Sequence, residues 1–326
     1  MMDRIRWGII GCGDVTEVKS GPGFQKAENS ALTAVMRRNG ELAKDYARRH
    51  NVPKWYDDAD KLINDPEVDA VYVATPPASH KEYALRAIRA GKPVYVEKPM
   101  ATSYTDCLEM VKAAQEAGVP LYVAYYRRGL ERFHKIKELV DTGTIGEVRF
   151  ATINLYRAPD PVEITGKDLP WRVIPEISGG GKFMDLASHT LDIFDYILGP
   201  VSRAEGHSAN QAKLYTPEDI VTANLTFETG AEAVGVWCFT AFEQSDINEI
   251  VGSKGKLTFS TFGQEPVVLA TSSGVREFHI SNPVHIEQPL IQCIVNELTG
   301  RGKSPSTGNS AARTNWVMEE ILRKSK

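Results

Sequence analysis

At 326 residues, with 42% hydrophobic and 25% charged residues, the chain has a globular composition and room for two domains. Its net charge of −4 is spread without a basic block, which excludes the concentrated Lys and Arg that nucleic-acid binding needs. No apolar run approaches the ~20 residues of a membrane span. MMDRIRWGII lacks a signal-peptide h-region, and the four cysteines form no metal or disulfide pattern, so a reducing cytoplasm is the expected setting.

Residues 1–124 alternate β-rich runs with helical ones. Strands are predicted at Arg6–Ile10, Ala31–Met36, Ala70–Ala74, Pro93–Glu97 and Pro120–Ala124, with helices at Glu41–His50, Lys81–Ala90 and Thr105–Ala117 between them. Repeated strand–helix alternation predicts an α/β domain with a doubly wound parallel sheet. From Tyr125 on, residues 125–326 read as an α+β domain with a large, mostly antiparallel open sheet. A helix at Glu131–Asp141 precedes strands Val148–Leu155, Ala223–Phe227, Ala231–Phe239, Lys256–Ser260 and Val267–Ala270. Further helices are predicted at Lys182–Ile197, Gln288–Leu298 and Ser310–Lys324. An open sheet with helices on one face suits subunit contacts, so a homo-oligomer is expected.

Gly11 and Gly13 follow the first strand directly, in Trp7-Gly8-Ile9-Ile10-Gly11-Cys12-Gly13-Asp14-Val15-Thr16. The first suits a tight turn, and the second lets backbone at Asp14 and Val15 approach a pyrophosphate. Thr16 stands where the fingerprint has its third glycine. The second strand ends Val35-Met36-Arg37-Arg38-Asn39, without the carboxylate that bonds the ribose 2′-hydroxyl of NAD. Arg37 and Arg38 suit a 2′-phosphate instead, so NADP(H) is the expected cofactor, with NAD(H) the alternative. Both arginines also read as solvated charges opening the next helix.

Two constellations carry the chemistry. Val94-Tyr95-Val96-Glu97-Lys98-Pro99 ends a strand where ligands of open α/β sheets lie. An ammonium there can hold a substrate hydroxyl and stabilise the developing oxyanion, though a surface Glu-Lys pair has the same sequence. Gly179-Gly180-Gly181 then introduces a helix carrying Asp185 and His189, four apart on one face, an arrangement suited to acid/base work. Asp192 could extend that face. No third ligand of convincing spacing supports a metal.

These motifs, in this order, resemble the glucose–fructose oxidoreductase / inositol dehydrogenase / MocA family over essentially the whole chain. The resemblance implies a Rossmann domain followed by a domain whose open sheet builds dimers or tetramers. It implies a sugar, polyol or cyclic diol as substrate, with Lys98, Asp185 and His189 as the catalytic set. It implies cofactor contacts from Thr75, Pro76 and His80 in Thr75-Pro76-Pro77-Ala78-Ser79-His80, beside Glu97 and Lys98. Substrate-facing positions would be Tyr126, where members often have Asn, with Arg127, Trp171 and Arg172. Trp171 equally suits core packing, and His285 is a further candidate. Two alternatives accompany this reading: redox-neutral glycoside cleavage with a retained cofactor, and a non-catalytic NADP(H) sensor.

Overall fold

A computed structural model describes residues 3–323. The chain divides into two compact units. One runs to Leu130 and takes in Pro283–Ala312, and the other holds Glu131–Asn282 and the chain from Arg313 onward.

In the first unit, strands β1 (Ile5–Ile10), β2 (Ser30–Met36), β3 (Lys54–Tyr56), β4 (Ala70–Val73), β5 (Val94–Val96) and β6 (Leu121–Val123) form one sheet in the order β3-β2-β1-β4-β5-β6. Every pair is parallel. Such sheets are covered on both faces, which is why AVYV in β4 and VYV in β5 are buried at every position. The crossovers are helices α1 (Asp14–Val18), α2 (Gly21–Lys26), α3 (Gly40–Arg49), α4 (Ala59–Ile63), α5 (His80–Arg89) and α6 (Tyr104–Ala117). Local chemistry sets their ends. Asn39 caps α3 through its side chain, Ser103 caps α6, and Gly118 closes α6 at φ 64°. Strand order reverses between β1 and β4, and the carboxyl ends of the strands at such a switch point form a ligand crevice.

The second unit opens with α7 (Glu131–Asp141) and β7 (Val148–Tyr156), then short helices α8 (Pro161–Thr165) and α9 (Pro175–Ser178). A π-helical turn at Phe183–Ala187 runs into α10 (Ser188–Leu198). Strands β8 (Val201–Ala209), β9 (Ile220–Phe227), β10 (Glu232–Cys238), β11 (Ser245–Gly252), β12 (Gly255–Phe259), β13 (Val267–Thr271) and β14 (Gly274–Phe278) complete an eight-stranded sheet with β7. Its order is β14-β13-β12-β11-β7-β10-β9-β8. The β7–β10 pair is parallel and the others are antiparallel. One face is buried by Ala151, Ile153, Leu155, Trp237 and Ile250, while the alternate positions stay half-exposed or exposed. Helices α11 (Gln288–Leu298) and α12 (Gly308–Leu322) end the described chain. The predicted helix end at Lys324 lies outside the described residues.

The fold class read from sequence is the one observed, with four further strands. β3, β8, β11 and β14 did not stand out because KWY is too short, VSRAEGHSA and SDINEIVG are largely polar, and GVREF is an exposed edge strand. Among the described residues no helix is long and apolar enough to cross a membrane, and no cluster of three or more His, Cys, Asp or Glu is placed to hold a metal ion.

Candidate active site

The loop after β1 is shaped by two glycines with different reasons. Gly11 sits at φ +90°, and a Cβ there would lie 3.0 Å from the Ala74 backbone after β4. Close approach of the two loops at the switch point therefore demands glycine. Gly13 is extended, at φ −126°, and a Cβ there would meet no protein atom nearer than 3.9 Å. Neither strain nor crowding explains that glycine. It leaves open space in front of the loop, as a dinucleotide pyrophosphate requires, and the loop fits that group.

Thr16, at the third fingerprint position, is buried and donates its hydroxyl to the Gly13 carbonyl at 2.7 Å. Close packing has moved to Gly21, where a Cβ would stand 2.2 Å from the Thr16 oxygen. Cys12 is buried, and burial pushes its thiol up to about 11, which keeps it an inert thiol. Asp14 is exposed and Val15 half-buried at the start of α1.

Arg37 and Arg38 leave the carboxyl end of β2 exposed. Among the described residues neither guanidinium makes a hydrogen bond or ion pair, whereas Asn39 beside them is committed to the α3 cap.

After β4, Ser79 donates to the Thr75 hydroxyl at 2.8 Å, and Pro76 is exposed. His80 is fully buried. Its Nδ1 lies 2.9 Å from the Pro99 carbonyl and its Nε2 2.6 Å from the Thr75 carbonyl. It is wedged between the loop after β4 and the turn after β5, and as a neutral imidazole it donates its one N–H to one of these two carbonyls. Burial holds its pKa down at about 4. Lys98 is half-buried at the carboxyl end of β5, and its peptide bond to Pro99 is cis. Glu97 is buried. It accepts the Lys98 N–H at 3.1 Å and the hydroxyl of Tyr72, and Tyr72 also lies 3.4 Å from the carboxyl of Glu287. Neither Tyr72 nor Glu287 stands out in the sequence, because nothing local pairs them with Glu97.

In the second unit, Asp185 sits inside the π-helical turn and His189 at the second residue of α10. π-turns inside helices recur at functional sites. Asp185 is paired with Arg172, Nε to Oδ2 at 3.3 Å, and the Arg172 guanidinium lies over the Trp171 ring at 4.7 Å. His189 is 5% exposed and meets the Phe262 ring edge-on at 5.7 Å. Asp192 is buried and accepts the Thr314 hydroxyl at 3.4 Å, so it anchors α12. Buried Lys182 lies 2.7 Å from both oxygens of Glu163, fastening α8 to the start of the turn.

Tyr126 and Arg127 are buried in a 3-10 turn of the first unit, the guanidinium 4.8 Å over the Tyr126 ring. His285 is occupied within the same unit. Lys26 Nζ lies 2.8 Å from Nε2 and the Val18 carbonyl 2.9 Å from Nδ1, which fits the Nδ1–H tautomer. Both ring nitrogens are therefore engaged by Lys26 and Val18.

A six-stranded parallel sheet with a dinucleotide-shaped loop at its switch point, followed by an α+β domain, defines a Rossmann-type oxidoreductase. Residues 5–125 match the oxidoreductase family with NAD-binding Rossmann fold, and residues 133–258 match the GFO/IDH/MocA C-terminal domain. The chain belongs to the glucose–fructose oxidoreductase / inositol dehydrogenase / MocA family, and is an NAD(P)-dependent dehydrogenase or reductase. It is 40% identical to an oxidoreductase of Formosa agariphila over 319 residues, 98% of either chain. It is 29% identical to the 1,5-anhydro-D-fructose reductase of Ensifer adhaerens over 310 residues, covering 93% of this chain and 91% of that one. Among solved structures it resembles the aldose-aldose oxidoreductase of Caulobacter crescentus complexed with glycerol, with a TM-score of 0.85 and 26% identity over 98% of this chain and 97% of that one.

Proposed function

We propose that the chain transfers hydride reversibly between NADP(H) and a secondary hydroxyl or ketone of a sugar, polyol or cyclic diol. The observation that carries this reading is Lys98, half-buried at the carboxyl end of β5 in a sheet whose switch point lies one strand away. When bound, the nicotinamide supplies or receives the hydride. Gly11, Gly13, Asp14 and Val15 hold the pyrophosphate, Thr75 and Pro76 line the floor, and Glu97 holds the Lys98 turn. Arg37 and Arg38 grip the 2′-phosphate.

Lys98 donates to the oxygen on the reacting carbon and stabilises charge there. His189 takes or returns the hydroxyl proton, and Asp185 orients it. Trp171 offers an indole to the apolar face of a ring, and Arg172, Tyr126 and Arg127 reach its hydroxyls. Residues 1–124 serve the cofactor, and the second unit serves substrate and subunit contacts. The names of an anhydrofructose reductase and an aldose-aldose oxidoreductase among the similar proteins support a sugar as the substrate class. A homodimer or homotetramer in a reducing cytoplasm completes the proposal.

The test is nicotinamide absorbance with NADP(H) and NAD(H) across sugars, inositols, diols and ketosugars, for the wild type and Lys98→Met. Turnover with NADP(H), lowered roughly 10²- to 10⁴-fold in the variant at little changed cofactor affinity, is expected. Near-normal turnover in Lys98→Met would remove the lysine from the mechanism. Sugar release without absorbance change would overturn net hydride transfer.

A further inference from the structure

Beneath the Lys98 turn the first unit buries two carboxyl groups that hydride transfer does not itself employ. Glu97 follows β5, Glu287 stands just ahead of α11, and they are 8% and 1% exposed. Aromatic rings pack beside them: Tyr72 is stacked on Tyr95 at 4.9 Å and tilted against Phe24 at 5.1 Å. The titratable and charged groups facing the pair are Tyr72 from β4, Tyr95 from β5, Lys98 beyond β5 and Lys19 beyond α1.

The hydrogen bonds here have a direction. One oxygen of Glu97 accepts the Lys98 N–H, and the other accepts the hydroxyl of Tyr72. Tyr72 has a single proton, which is thereby donated to Glu97. Two carboxyl oxygens thus face one hydroxyl, and Glu287 Oε2, 3.4 Å from it, gains a full hydrogen bond to the Tyr72 oxygen when Glu287 itself carries a proton. Two carboxylates sharing one buried hydroxyl cannot both hold charge in so dry a place. Burial raises the proton affinity of both, and the charge of Glu97 drives that of Glu287 further up.

We propose that Glu287 is a positioning residue that carries a proton at neutral pH and, through the chain Glu287–Tyr72–Glu97, fixes the Lys98 turn. Glu97 is the ionised end of this chain, held by two donors. Loss of the Glu287 proton would set a second buried charge against Glu97, draw the Tyr72 hydroxyl away from it and loosen its hold on the Lys98 peptide. The link to catalysis rests on Lys98 being the lysine of the reaction.

Two readouts need no substrate. Infrared spectra of the full chain in H₂O and D₂O should contain a buried carboxylic-acid C=O band that Glu287→Gln removes and Tyr72→Phe keeps. Hydrogen exchange at the Lys98 amide should accelerate roughly tenfold in Tyr72→Phe, the equivalent of one hydrogen bond of ordinary strength. In active protein, kcat should fall on an alkaline limb that Glu287→Gln abolishes. A wild-type spectrum without the band, a band untouched by Glu287→Gln, or Lys98 exchange unmoved in Tyr72→Phe would overturn the proposal. A missing turnover with these two readouts intact would count against the dehydrogenase reading and not against the proton on Glu287.

Discussion

Removing both guanidiniums at the tip of β2 should weaken NADPH and spare NADH. Arg37 and Arg38 are exposed and, among the described residues, unengaged by other side chains, so their loss disturbs no internal contact. Charge-assisted hydrogen bonds to a phosphate contribute about 1.5–3 kcal/mol, hence Arg37→Ala/Arg38→Ala should raise the NADPH dissociation constant roughly 10- to 100-fold. Equal weakening of both cofactors, measured by fluorescence titration, would remove the 2′-phosphate from the reading. His80 makes a prediction about pH. Its folded pKa of about 4 lies below the ordinary 6.5. The unfolded chain therefore binds the proton more readily between those values. The associated stability is complete above pH 6.5 and declines as pH falls towards 4, by about 3 kcal/mol over the window. His80→Gln should flatten that part of the urea-midpoint profile, and an unchanged slope would assign the acid sensitivity elsewhere. At this scale the sequence was legible where one residue type has one use. The turn at Gly11, the place of Lys98 at the carboxyl end of its strand and the carboxylate-free strand tip could be read directly. His80, His285 and Glu287 could not, because what they do depends on partners brought together by the fold.

The element that presents Asp185 and His189 was legible as a helix but not as a helix with a π-turn. A spacing of four residues fits both, and the turn is preceded by two glycines in crowded places. A Cβ at Gly180 would stand 2.4 Å from Met184, and one at Gly181 2.5 Å from Pro217. Behind this turn, the Lys182–Glu163 pair is buried, with side chains 10% and 0% exposed. Glu163 also receives the Asp160 N–H at 3.0 Å in the capping box of α8. Lys182→Met would leave a carboxylate in a dry site without its cation, which costs about 3–5 kcal/mol. A double variant with Glu163→Leu should recover most of that loss, because the penalty comes from the uncompensated charge. Thermal unfolding of the two variants checks this, and equal losses in both would show the cost to be packing.

At the scale of the whole molecule, the alternation of residues 1–124 gave the parallel sheet, since each βαβ unit is contiguous. The return of Pro283–Ala312 to the first unit was not legible, because α11 joins by long-range packing that leaves no mark on local pattern. The second sheet raises the last question, what its open face meets. Phe150 and Val234 are exposed by 44% and 50%, and Ile247 by 48%; registers across β7, β10 and β11 put all three on the same face. Val236 and Val251 join them, half-buried. These side chains alternate with Thr152, Asn154, Glu232 and Glu249 on the same face, and we propose that it is an association surface, since water penalises exposed apolar area by roughly 25 cal/mol per Å². Light scattering should therefore give an oligomer for the wild type and single chains for Val234→Lys/Ile247→Glu. The fold should survive in circular dichroism, since both side chains already reach solvent within one chain. A wild type that runs as a single chain at micromolar concentration would assign the stripe to some other contact. An oligomer untouched by both charges would move the interface to another face.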